Sequence, residues 1–128
     1  MNAYAPGKMA LAAYGTQSAA VRTDRGTEYA AFMRITRRLK AAAEKGAKGF
    51  PDLVGALHDN RKLWTIIATE VADDGNKLPR QLRAQLIYLA EFTFDYSSKV
   101  LSRQADVGPL IEVNASVMRG LVGERGAA

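Results

Sequence analysis

The chain has 128 residues, 48% of them hydrophobic and 24% charged, with no cysteine and one histidine. Such a length suits one domain with a real core. The missing cysteines exclude a disulfide framework, a thiolate metal centre and a cysteine nucleophile, and one histidine leaves little from which to build a zinc site.

No uncharged apolar run reaches the roughly 18 residues that a bilayer span requires. Lys8 followed by MALAAYG has the outline of a signal peptide, but the apolar stretch is short, contains Gly15 and runs into Thr16, Gln17 and Ser18. A cytoplasmic protein is therefore expected. The net charge is +5, and its placement is uneven. Residues 20–49 carry eight bases against three acids, while the rest of the chain carries ten of each. A segment of this kind attracts an acidic protein or a phosphate backbone, or is simply a solvated helix face.

Turn signals divide the chain into helical segments, and no run of β-branched residues alternates long enough to read as a strand. Pro6-Gly7 frays the start, and an alanine-rich helix is predicted from Lys8 to about Ala20. A second is predicted from Thr23, with Thr23 as its cap and Asp24 in its first turn. Tyr29, Phe32, Ile35, Thr36, Leu39 and Ala43 recur on one face of it, the arginines lie on the other, and Gly46 and Gly49 end it. Phe50-Pro51-Asp52 starts a third helix, with proline where its missing N–H costs nothing. Its stripe is Leu53, Leu57, Trp64, Ile67 and Val71, widened by Leu63 and Ile66. Asp73-Asp74-Gly75-Asn76 reads as a turn, with Gly75 at positive φ.

Pro79 starts a fourth helix carrying two apolar stripes, one of Leu82, Leu86, Leu89, Tyr96 and Val100, the other of Ile87, Phe94 and Leu101. A helix apolar on two sides is central or covered by a partner. Gly108-Pro109 opens a fifth, with Leu110, Val113, Val117 and Leu121 in register, before a tail from 123 to 128 that is expected to fray. The reading is all-α: a single-domain bundle of four to five helices joined by short turns over 1–128, with residues 1–7 also frayed.

The stretch LHDNRKLW, from Leu57 to Trp64, holds the histidine and the single tryptophan. Catalysis needs a base, an orienting group and a nucleophile converging in one cleft. His58 and Asp59, adjacent on a helix, diverge by about 100°. Asn60 and Trp64, four apart, can meet, but as a packing or hydrogen-bonding pair. Arg61 and Lys62 are expected to face outward. No phosphate loop, H-E-x-x-H or EF-hand spacing is present, and the glycosylation-like Asn114-Ala115-Ser116 is set aside. No enzyme, cofactor, metal or small-molecule substrate is expected.

Two binding modes remain. Arg34, Arg37, Arg38 and Lys40 could contact phosphates, but the neighbouring aromatics Tyr29 and Phe32 belong to the apolar stripe rather than standing among the bases, so direct nucleic-acid binding is the weaker reading. The surplus apolar surface at Ile87, Phe94 and Leu101 instead suits helix-in-groove docking of another protein.

The stretches RGTEYAAFMRITRRLKAA, LHDNRKLWTIIATEV and LPRQLRAQLIYLAEFT resemble FlaF, the small flagellar biosynthesis regulator of alphaproteobacteria. The resemblance runs from about Tyr14 to Leu121. It rests on Glu28-Tyr29 ahead of Thr36 and Leu39, on Asn60 with Leu63-Trp64, and on Pro79, Leu82-Arg83, Leu86, Leu89-Ala90 and Phe92. Family members often place a proline ahead of the second helix, where this chain has Asp24-Arg25-Gly26-Thr27, and a histidine where Tyr96 stands. The resemblance implies a non-enzymatic cytoplasmic factor that promotes flagellin production and export. It would bind flagellin as a secretion chaperone alongside FlbT, a repressor acting on flagellin messenger RNA. Direct binding of that RNA by the basic helix is the alternative.

Overall fold

The computed structural model describes the backbone of residues 17–127 and the side chains of residues 28–120. Four α-helices follow one another: α1 (Gln17–Glu44), α2 (Phe50–Ala72), α3 (Arg80–Leu101) and α4 (Gly108–Ala127), with a 3-10 turn at Gly46–Gly49 between the first two. Compact units divide at Ala30 and Ala31, within α1. The first unit, described from Gln17, holds the start of α1, where Glu28 and Tyr29 are half-buried. The second holds the core. No strand occurs among the described residues.

The helix predicted from Lys8 lies mostly outside the described residues. Its end and the helix predicted from Thr23 are one: α1 passes through Thr23 without interruption, so Thr23 is not a cap. Extending an existing helix fixes one residue per hydrogen bond and avoids a second nucleation, which favours continuity. The same reasoning covers the tail, expected to fray from 123 but helical to Ala127.

In the second unit the predicted apolar face of α1 is buried at Phe32, Ile35, Thr36 and Leu39, and Ala42 rather than Ala43 completes it. Gly46, at φ 64°, then turns the chain in the left-handed region that glycine adopts without cost. Gly49 has a different task. A Cβ there would stand 2.1 Å from the Ala42 carbonyl oxygen, so only glycine lets the 3-10 turn lie against the last turn of α1. Helix α2 runs back antiparallel, its Asp59 paired with Arg38 and its Asp52 with Lys45 at 3.0 Å.

Leu57, Leu63, Trp64, Ile67 and Val71 of α2 are buried as expected, Leu53 is half-buried, and Ile66 is 52% exposed instead of joining the core. Phe32 meets Trp64 edge to face, centroids 5.6 Å apart, the geometry that aromatic quadrupoles favour. Gly75 does not take positive φ. The turn after α2 is closed instead by side chains. Asp73 accepts from the Gly75 N–H at 3.1 Å, Asn76 Nδ2 donates to the Glu70 carbonyl at 3.0 Å, and no left-handed residue is needed.

Helix α3 follows Pro79 and pairs antiparallel with α2, in a register fixed by Arg61 to Phe94 at one end and Arg83 to Val71 at the other. Asp106 then caps α4, accepting from the Gly108 N–H at 2.8 Å, and its own carbonyl accepts from the Tyr96 hydroxyl at 2.9 Å. Leu110 of α4 is fully buried, and Val113 and Val117 are half-buried beside it. No helix among the described residues is long and apolar enough to cross a membrane.

Candidate functional site

Several residues singled out in the sequence are structural. Asn60 and Trp64 are both fully buried, yet they do not bond to each other. Asn114 of α4 joins them: its Oδ1 accepts from Trp64 Nε1 at 3.0 Å, and its Nδ2 donates to Asn60 Oδ1 at 2.9 Å and to Thr36 Oγ1 at 3.2 Å. One amide thus ties α1, α2 and α4 together inside the core. Local sequence assigns Asn114 no role, because a buried asparagine looks like a surface one until its three partners converge. Asn60 Nδ2 and Thr93 Oγ1 are buried without a hydrogen-bond partner among the described residues.

Arg83 has a definite task. Its Nε donates to the Val71 carbonyl at 2.9 Å and its Nη2 to the Asp73 carbonyl at 3.1 Å. A cation therefore occupies the C-terminal end of α2, where free carbonyls and the helix dipole both favour it. Arg61 does not face outward. It folds back to donate to the Phe94 carbonyl at 3.0 Å, and its guanidinium lies 5.7 Å from the centre of the Phe94 ring. Lys62 is exposed as expected, and His58 is exposed as well.

The bases of α1 do form an outward face, with Arg34, Arg37, Arg38 and Lys40 all exposed. Arg38 is engaged by Asp59 and Lys45 by Asp52. Arg34, Arg37 and Lys40 make no ion pair among the described residues.

On α3 the two predicted stripes turn out to be flanks. Its buried centre consists of Ala90, Thr93, Ser97 and Val100, three of them small or polar. Ser97 turns its hydroxyl to the Thr93 carbonyl at 2.6 Å. Small residues let α3 sit close to its neighbours, which pushes the bulky side chains outward on both sides. Leu82, Leu86, Leu89, Phe92 and Tyr96 are half-buried along one flank, Ile87 and Phe94 along the other, and Leu101 is 39% exposed. Phe92 stacks on Tyr96 at 5.4 Å, while Tyr88 points outward at 68% exposure beside a shallow depression lined by Gln81, Ala84, Gln85 and Leu89.

The larger opening lies elsewhere, at the end of the bundle where the 3-10 turn, the start of α2 and the α3–α4 connection meet. A groove of about 700 Å³ opens there between Ala42, Ala43 and Ala47 on one side and Phe50, Leu53, Val100, Val107 and Ile111 on the other. Arg103 stands on its rim. It ends α3 in a Schellman arrangement, with the Gln104 N–H donating to the Lys99 carbonyl at 2.9 Å and its own N–H to the Val100 carbonyl at 3.0 Å. That position is left-handed, φ 63°, where glycine is usual and any other residue costs roughly 1 kcal/mol. The side chain lies over Phe50, 4.1 Å from the ring centre, a contact that returns roughly 0.5–1 kcal/mol at an exposed site. Stability alone therefore gives arginine no clear advantage over glycine. Composition and periodicity did not point to this corner, since its lining comes from two stretches, residues 42–53 and 100–111, that lie far apart in the chain.

Taken together, fold and surface define an all-α bundle that leaves apolar area open at one end and along one helix, and carries a basic face on another. The family model for flagellar protein FlaF matches residues 10–121, and the chain belongs to that family. No curated protein and no solved structure matches it.

Proposed function

We propose that this flagellar protein is a cytoplasmic, non-enzymatic regulator that promotes flagellin synthesis and export, by binding flagellin as a secretion chaperone and acting with FlbT. The observation that carries this reading is the open apolar surface of the monomer: the flanks of α3 out to Leu101 and the groove beside Phe50. An unassembled filament subunit exposes amphipathic segments that need cover, and a bundle with uncovered apolar surface supplies it by helix-in-groove contact. The basic face of α1 favours approach of an acidic partner. Catalysis has no part in the proposal. His58 stands in solvent, and its neighbour Asp59 is engaged by Arg38.

Gel filtration of the purified protein with monomeric flagellin should give a complex at micromolar concentration, and the same experiment with FlbT tests the second partner. Failure of both to bind removes the proposal. The unpaired state of Arg34, Arg37 and Lys40 favours one alternative, direct binding of flagellin messenger RNA. That reading requires retention of leader RNA at low salt, a steep loss with added salt, and loss on charge reversal of the same three residues.

A further inference from the structure

We infer that the groove at the bundle end receives an amphipathic helix bearing a carboxylate at the edge of its apolar face, with Arg103 as the cation that meets it. The inference deepens the proposed binding activity and rests on that reading only in taking the protein to be a binder of helical segments.

Three features of the corner select this occupant. Its alanine wall, exposed at Ala43 and Ala47, carries nothing beyond a Cβ, so a helix backbone can come close while its side chains enter between Phe50, Leu53 and Ile111. Every element bordering it is helix or tight turn, with no sheet edge to hold an extended strand, which leaves side-chain packing as the mode of contact. Charge complementarity sets the sign. The Arg103 guanidinium is exposed, held over Phe50, and paired with no carboxylate among the described residues. The acid that lines the groove, Asp106, has its Oδ1 engaged by the Gly108 N–H.

Two further apolar side chains, outside the lining, are also exposed. Arg61 and Phe94 fix the antiparallel register of α2 and α3, and two helical turns further on they bring Val54 opposite Leu101, both 39% exposed. The depression beside Tyr88 is lined by neutral residues and has no such preference for charge.

The test uses the full chain and two synthetic helical peptides with the same leucine face, one edged with glutamates and the other with lysines. With the isotope-labelled protein, the glutamate peptide should shift backbone amides of 46–53 and 103–111 and bind about tenfold more tightly than the lysine peptide. Arg103→Glu should reverse that preference, and Ala47→Glu should block both peptides, with circular dichroism checking that each variant folds. Equal affinity for the two peptides, or shifts confined to 81–89, overturns the inference. So does a homodimer in sedimentation equilibrium that Ala47→Glu dissolves, because the occupant is then a second copy. A flagellin complex unchanged by both substitutions also overturns it while leaving flagellin binding in place. Selective binding of the glutamate peptide without any flagellin complex upholds the corner and removes the client instead.

Discussion

At the scale of single residues, Asn114 and Arg103 show opposite relations between burial and purpose. Asn114 is fully buried with its amide engaged on both atoms, so Asn114→Ala strands the Trp64 N–H and the Asn60 carbonyl oxygen and opens a cavity. A loss of about 3 kcal/mol is expected in urea unfolding followed by Trp64 fluorescence. Arg103→Gly relieves the left-handed backbone and forfeits the contact with Phe50, two terms of similar size. The unfolding midpoint should therefore move by less than about 0.5 kcal/mol in free energy. The sequence marked Asn60 and Trp64 through their spacing of four. It could not mark their partner, which lies fifty residues from Trp64 and has no local pattern of its own.

At the scale of elements, the bundle depends on how its helices end. Gly49→Ala would drive a methyl group into the Ala42 carbonyl, which neither backbone can yield without separating α1 from α2. The expected cost is about 3 kcal/mol, read as a fall in thermal midpoint. Arg83→Ala removes two hydrogen bonds from a cation to the carbonyls at the C-terminal end of α2, with a cost of about 1–2 kcal/mol. Hydrogen exchange should localise that second loss to the last turn of α2 and the turn beyond it. The starts of α2 and α4 were legible because Pro51 and Gly108-Pro109 act through their own backbone. The turn after α2 was misread at Gly75, where Asp73 and Asn76 do by side chain what a left-handed glycine would otherwise do.

At the scale of the whole molecule, charge and apolar surface are separated. The excess bases lie on α1, with Arg34, Arg37 and Lys40 unpaired, and the open apolar area lies on α3 and at the bundle end. An acidic client would be attracted by the first and held by the second. Reversing the charge of all three bases to glutamate should slow flagellin association about tenfold at low salt with little change in dissociation, and the difference should shrink as salt is raised. Stopped-flow mixing over a salt series measures both rates. The surplus apolar surface expected at Ile87, Phe94 and Leu101 is graded rather than open throughout: the first two are half-covered and Leu101 is the exposed end.

The amino-acid order by itself determined that the protein is helical, which faces of α1, α2 and α4 turn inward, and where its charge collects. Each of these follows from periodicity, proline and glycine punctuation, and side-chain charge, all of which act over a few neighbouring residues. Only the tertiary structure decided which side of α3 is its centre, because burial there depends on how closely the other helices approach, and small residues permit the closest approach. It also decided that Asn114 is the hub of the core and that a groove opens beside Arg103. Both are formed by residues far apart in the chain, and no local rule brings them together.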